Sequence, residues 1–216
     1  MKISQAERDA VYKTIFARRD VRREFLPDPI PDAVLKRILL AAHHAPSVGF
    51  MQPWDFILVT DKACKTNIKQ GFLQAHAEAA ELFHGDRRTQ YQSLKLEGIE
   101  ESPLGICVTC DRNRTGSVVL GRTAKPEMDL FSSVCAIQNM WLAARAENIG
   151  LGWVSILHDN VLRENLNIPE HIDIIAYLCL GYVEQFHDTP DLQRAGWLDR
   201  QDMSNVLHQG VWEDKN

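Results

Sequence analysis

Apolar positions recur at helical spacing in two stretches near the start of the chain. The first stretch lies behind Ser4-Gln5-Ala6-Glu7. In such a pattern a serine and a glutamate three residues on satisfy each other's backbone N–H groups at a helix start. Val11, Tyr12 and Ile15 follow, and the spacing ends this helix near Arg18. Leu26-Pro27-Asp28-Pro29-Ile30-Pro31-Asp32 is a proline-punctuated connector. Pro31 suits the first position of a second helix, where its missing N–H costs nothing. That helix carries Val34, Leu35, Ile38, Leu39 and Ala42 on one face, and Ala45-Pro46-Ser47-Val48-Gly49 stops it. Trp54 to Thr60 reads as the first strand, and Asp61 caps a long alanine-rich helix to about Phe83. Residues 84–101 are polar, which predicts a covering segment rather than core. Gly105 to Cys110 is a second strand, followed by a loop from Asp111 to Pro126. From Asp129, Leu130, Val134, Ile137, Trp141 and Ala144 repeat at helical spacing, and Phe131, Cys135 and Leu142 widen the stripe. A helix buried on most sides is expected there, with Gly150 as its stop. A third strand is expected over Gly152–Leu157, a short helix from Asp159 through Leu166, and a fourth strand over Ile172–Leu180 running into Gly181-Tyr182. The tail from Val183 is polar, with Trp197 and Trp212 as isolated anchors. Alternating helices and strands suggest a parallel sheet by default. Periodicity leaves a mixed or antiparallel α+β sheet open.

Composition narrows the class. The chain has 216 residues, of which 45% are hydrophobic and 25% charged, enough for one core and too apolar for wholesale disorder. There is no internal repeat or linker. The net charge of −5 argues against a nucleic-acid binder, which would be basic. No apolar run approaches the roughly 18–20 residues of a membrane span, so no membrane partner is expected. Five cysteines without regular spacing, and a polar stretch from Met1 to Ala10, suit a reduced cytoplasmic protein. On this acidic background, Arg18, Arg19, Arg22 and Arg23 place four cations within six positions.

Several constellations bear on chemistry. Cys107 and Cys110 match a CxxC spacing, but in a strand they point to opposite faces, which suits packed thiols. His43 and His44 are adjacent on a helix and so face apart, one partly buried and one solvated, a poor metal site. No metal is expected. A Gly-x-Ser-x-Gly elbow, a Gly-x-Gly-x-x-Gly turn and a phosphate-binding P-loop pattern are all missing from the sequence. If the first helix continues, Arg18 and Arg22 share a face with Asp20 opposite, and two guanidiniums so placed suit a phosphate. A solvated basic helix end, favoured by the helix dipole, accounts for the same residues. Ser47 with Gly49, and Gly150-Leu151-Gly152-Trp153-Val154-Ser155, allow close approach of a flat ligand. Each is an ordinary loop when taken alone.

As a set they are more specific. Arg18-Arg19-Asp20-Val21-Arg22, then Ala45-Pro46-Ser47 leading to Gln52-Pro53-Trp54, then Gly150-Leu151-Gly152-Trp153, resemble the FMN-binding nitroreductase family in order and spacing. Ile168-Pro169 running into residues 172–182 resembles that family's last core strand. The resemblance implies an α+β sandwich with a central mixed or antiparallel sheet flanked by helices. It implies one FMN-binding domain over residues 1–216, with 84–101 as a lid and 183–216 as a C-terminal extension. It also implies an intertwined homodimer with FMN at the dimer interface. By the same resemblance Arg18 and Arg22 hold the phosphate, and Arg19 lies near the ribityl chain or ring edge. Val21 belongs to the same binding segment, Ser47 contacts the flavin, and the backbone around Gly152 approaches the ring.

Two positions depart from the usual family pattern: Phe50 replaces an asparagine and Asp20 a serine. With Ser155, and with Phe25–Pro29, Ser93–Gly98, Cys107–Asp111 and Val119–Arg122, they resemble one branch of the family. In that branch reduced FMN is the substrate and dioxygen the co-substrate. The products are erythrose 4-phosphate and 5,6-dimethylbenzimidazole, the lower ligand of cobalamin, and a separate flavin reductase supplies the reduced FMN. Oxygen attack and carbon–carbon cleavage need proton transfers at a dry site. The resemblance implies Asp20 as the acid/base and Ser155 as a hydrogen-bonding group at the flavin's central nitrogen region. Cations near Asp20 lower its pKa and burial raises it, and the sequence leaves the balance open. Phe50 and Met51, with the lid, would exclude nicotinamide and water. The alternatives are a conventional NAD(P)H-dependent nitroreductase or flavin reductase, and a non-enzymatic flavin carrier or sensor.

Overall fold

The computed structural model describes residues 2–214. Four strands form one sheet in the order β1-β2-β4-β3: β1 is Trp54–Val59, β2 Leu104–Cys110, β3 Ile149–Val154 and β4 Asp173–Tyr182. All three pairings are antiparallel. The helix-strand alternation therefore does not produce parallel neighbours. The connections cross between layers, and β4 enters between β2 and β3.

Helices cover both faces of the sheet. On one face Ile106, Val108, Leu178 and Leu180 pack with α2 (Asp32–His43) and α5 (Met128–Ala146), through Ile38, Ala42, Ile137 and Met140. On the other, Cys107, Tyr177 and Cys179 pack with α3 (Lys62–Ala80) and α6 (Asp159–Leu166), through Ile68, Phe72 and Leu162. β2 is buried along its whole length because helices cover it on both sides. Cys107 and Cys110 are both buried, and burial pushes their thiols up to about 12 and about 11.

Local signals act as read at several ends. α1 (Gln5–Ala17) starts on the Ser4–Glu7 capping box. Asp61 caps α3 by accepting from the Cys64 N–H at 2.8 Å. Pro31 sits just outside α2, as its cap. His43 and His44 are both exposed, although one was expected to be partly buried, and His43 accepts the Trp54 indole N–H at 3.2 Å.

Other expectations are corrected. β3 begins three residues earlier than the glycines suggested. Asn148, at φ 57°, turns the chain after α5, and Gly150 and Gly152 lie inside the strand. α5 buries only part of its expected stripe: Ile137 and Ala144 are buried, but the rest of the buried face is Asp129, Ser132, Ser133, Ala136 and Met140. Phe131, Val134 and Cys135 face outward. Small residues let the helix sit close to the sheet, which turns the bulky ones away. Residues 84–101 are not only cover. Residues 85–93 form α4 (Gly85–Ser93), and Ile99 is fully buried in the core. In the tail, α7 (Asp191–Arg194) and α8 (Met203–Val206) are short, Trp197 is half-buried and Trp212 is exposed rather than an anchor. The last two residues of the expected extension lie outside the described residues. Among the described residues no helix is long and apolar enough to cross a membrane.

Candidate functional site

The arginine-rich segment is not a helical turn. α1 stops at Ala17 because Arg18 is already extended, with ψ 136°. The chain then lies along the free edge of β3. Asp20 bridges Leu151 in parallel, and the Val21 N–H donates to the Leu151 carbonyl at 3.0 Å. The Leu26 N–H donates to the Tyr182 carbonyl at 2.8 Å. In extended backbone, side chains alternate every two residues. Arg18 and Arg22 still share a side, but Asp20 joins them instead of lying opposite.

Asp20 is held from two directions. One carboxylate oxygen pairs with the Arg22 guanidinium, and the other accepts the Trp153 N–H at 3.0 Å. Its side chain keeps 28% of its surface open. Burial is the larger influence and raises its pKa, against Arg22, the Trp153 N–H and Arg18. The balance left open by the sequence therefore falls on the side of burial.

Three glycines fit this segment to the sheet. A Cβ on Gly152 would stand 1.9 Å from the Val21 carbonyl oxygen, so the strand accepts no side chain where the segment crosses it. The Phe25 ring lies between Gly98 and Gly181, whose added Cβ atoms would approach it to 2.6 and 3.1 Å. Gly98 also faces the Arg22 carbonyl. The sequence offered no reason for Gly98 or Phe25 beyond resemblance; both fix the height of the arginine segment above the sheet.

The arginines divide between two places. Arg18 lies 4.9 Å over the Trp141 ring. Arg19 donates to the carbonyls of Phe16 and Arg18, at 2.8 and 2.7 Å, and to that of Asp188. Both line a cavity of about 610 Å³ with Ile15, Phe16, Gln138 and Arg200. Burial lowers the Arg18 pKa, Asp20 opposes that shift, and Arg19 and Arg200 add smaller lowering effects. Arg22 does not line this cavity and is paired to Asp20, so the expected Arg18–Arg22 pair does not share one cavity. Arg200 lines the cavity beside Arg18 and Arg19. Sequence spacing could not find it, because only tertiary folding of the tail brings it there.

Buried polar atoms show what the site is suited to hold. Among the described residues, Arg19 Nε and Arg22 Nε and Nη1 are buried without a hydrogen-bond partner. Such donors are costly unless an acceptor meets them, and an anionic, oxygen-rich ligand such as a flavin phosphate and ribityl chain supplies acceptors. The residues present fit that group.

The remaining predicted residues lie at the margins. Ser155 follows the end of β3, two positions beyond Trp153, and is exposed. Ser47 is half-buried and accepts the Gln52 N–H at 3.1 Å. Its contacts are with its own loop and not with the arginine segment. In that loop Gly49, Phe50 and Gln52 all have positive φ. Phe50 is 81% exposed whereas Met51 is buried, so only Phe50 of the expected excluding pair projects.

A profile of the nitroreductase family matches residues 15–182. The chain belongs to the nitroreductase family. Within it, a Rhodobacter capsulatus protein named 5,6-dimethylbenzimidazole synthase is 41% identical over 199 residues, covering 92% of this chain and 96% of its own. A Rhodospirillum rubrum protein of the same name is 42% identical over 183 residues, covering 85% and 86%. Among solved structures, iodotyrosine deiodinase bound to FMN and 3-iodo-L-tyrosine has a TM-score of 0.74 at 18% identity, over 94% of this chain and 100% of that one. The NADPH:FMN oxidoreductase from Vibrio harveyi complexed with NAD+ has a TM-score of 0.67 at 21% identity, over 96% and 80%. These two likenesses establish the family's antiparallel α+β fold.

Proposed function

We propose that the protein is a 5,6-dimethylbenzimidazole synthase, fragmenting reduced FMN with dioxygen into 5,6-dimethylbenzimidazole and erythrose 4-phosphate and so supplying the lower ligand of cobalamin. The observation that carries this reading is Asp20, a largely buried carboxylate fixed by the strand that leads to Ser155. Near full-length identity to two relatives of that name supports it.

Reduced FMN, as substrate, supplies the electrons that activate dioxygen and the carbon skeleton of the product. Arg18, Arg19 and Arg200 hold its phosphate in the arginine cavity, and the unpaired donors of Arg19 and Arg22 meet its polar chain. Val21 and Gly152 set the backbone wall beside it. Asp20 holds and moves a proton, since its raised pKa brings the protonated form closer to neutral pH. Ser155 offers a donor and an acceptor at the ring. Ser47 and Phe50 come from a second copy. An intertwined homodimer is supported by apolar residues left outside on α1 (Val11, Tyr12, Phe16) and on α5 (Phe131, Val134). Residues 84–101 serve as the lid. A separate flavin reductase supplies the substrate, and the free thiols suit a reducing cytoplasm.

The test is incubation with chemically reduced FMN and air, followed by mass spectrometry. A benzimidazole product with loss of flavin absorbance is expected. Recovery of intact FMN would overturn the reading, and NAD(P)H oxidation with the flavin recovered would identify a conventional nitroreductase instead.

A further inference from the structure

Residues 185–200 connect two places that the reaction does not obviously link. At one end the strand of tail lies on the arginine segment. The Asp188 carbonyl accepts from Arg19, His187 Nε2 lies 3.1 Å from the Glu24 carboxylate, and Arg23 lies 4.0 Å from Asp191. At the other end it lies on α4. Gln90 donates to the Ala195 carbonyl at 2.9 Å and Arg87 to the Trp197 carbonyl at 3.1 Å. The Arg87 guanidinium also stacks 3.4 Å over the Trp197 ring. Three residues later Arg200 lines the arginine cavity.

α4 needs this support. It has nine residues, no side-chain cap at its start, and one buried side chain, Tyr91. A helix that short has little stability of its own. Tyr91 stacks between His76 and Phe83, at 4.7 and 4.8 Å, yet the Tyr91 hydroxyl and His76 Nε2 are buried without partners among the described residues. Its packed position is therefore one of the weaker parts of the fold, where an added contact changes the population most. At the cavity Arg18, Arg19 and Arg200 outnumber Asp188, and Asp20 offsets only part of the charge on Arg18, so the lining stays net positive toward an anion.

We propose that residues 185–200 are a strap that couples the arginine cavity to α4. An anion gathered by Arg18, Arg19 and Arg200 fixes the strap, and Trp197 acts as a positioning residue that holds α4 closed. Coupling of this kind is reciprocal, so closure of α4 tightens anion binding by the same factor. The identity of the anion as a flavin phosphate rests on the function proposed above; the coupling is a property of the chain.

The test is hydrogen–deuterium exchange on the full chain, with inorganic phosphate as the probe and then FMN. In the wild type, phosphate is expected to slow exchange both at residues 18–22 and at residues 85–93. Trp197→Ala is expected to keep the effect at 18–22, lose it at 85–93, and weaken phosphate binding on the order of tenfold, the scale of one desolvated cation–π contact with its stacked ring. Trp197→Phe should restore part of the coupling. Arg87→Met removes the same contact from the lid side and should reproduce the loss. Protection of 85–93 that is unchanged in both Trp197→Ala and Arg87→Met overturns the strap. Protection at 18–22 alone in the wild type also overturns it, while leaving the anion cavity intact. Protection at neither place removes the anion cavity itself, and with it the phosphate site in the proposed function.

Discussion

Gly152→Ala is a stringent test of how the site is built. The added methyl would meet the Val21 carbonyl oxygen at 1.9 Å. A carbon and a carbonyl oxygen settle at about 3.3 Å, so the arginine segment must move by roughly 1.4 Å. That shift breaks the Val21–Leu151 hydrogen bond and the Trp153–Asp20 hydrogen bond, both 3.0 Å long. Overpacking costs about 1–3 kcal/mol. The neutral hydrogen bond contributes about 1 kcal/mol, and the one to the carboxylate about 1.5–3 kcal/mol. A loss of about 5 kcal/mol follows, a large share of a total stability of about 5–15 kcal/mol. In urea the midpoint should fall by about 2 M. Any folded remainder should make product on the order of 100-fold more slowly, because Asp20 is displaced by about 1 Å. Gly150→Ala is the comparison: its methyl meets a Val183 side-chain carbon at 2.5 Å and Val21 side-chain carbons at 3.1 and 3.2 Å, so it also costs a shift but leaves the Val21 carbonyl in place. A Gly152→Ala protein within about 1 kcal/mol of wild type, or no worse than Gly150→Ala, would refute the reasoning.

Other substitutions separate binding from chemistry. Asp20→Asn should bind reduced FMN and yield almost no benzimidazole; wild-type yield by mass spectrometry would remove Asp20 from the reaction. The same variant tests the raised pKa. A carboxyl whose folded pKa lies above its unfolded value loses folded-state stability as pH rises between the two. The melting temperature of Asp20→Asn relative to wild type should therefore climb from about pH 4 upward, and a fall would reverse the sign. Ser155→Ala should change the product ratio after exposure to air, and unchanged oxidation kinetics with unchanged product would count against the contact. Arg200→Ala should weaken FMN binding roughly 10- to 100-fold in a fluorescence titration, with a smaller dependence on salt, whereas an unchanged affinity would place the phosphate elsewhere.

Much of the fold was legible because it is written locally. The Ser4 and Asp61 caps and the strands at Trp54, Leu104 and Asp173 follow from cap chemistry and apolar runs. What escaped the sequence is what depends on partners. Gly150 looks like a helix stop and Gly152 like a strand start, and only the crossing Val21 carbonyl reveals why the strand needs glycine at 152. On α5, hydrophobicity pointed to Phe131 and Val134, but the sheet selects small residues such as Ser132 and Ala136. Asp20 and the segment around it were found in sequence, though through a helical geometry that the extended chain replaces. Arg200 carries no sequence signal, since nothing local marks a tail residue that folds back onto the start of the chain.

The buried thiols have a consequence for durability. The proposed reaction would expose the protein to oxidants, and cysteine is attacked as the thiolate. Burial raises the thiols of Cys107 and Cys179 to about 12 and that of Cys110 to about 11, which keeps them protonated at neutral pH. The sulfur atoms at the centre of the sheet are thus kept unreactive by the same packing that makes the core. Oxidants should therefore leave the strands that carry the site untouched until the fold opens.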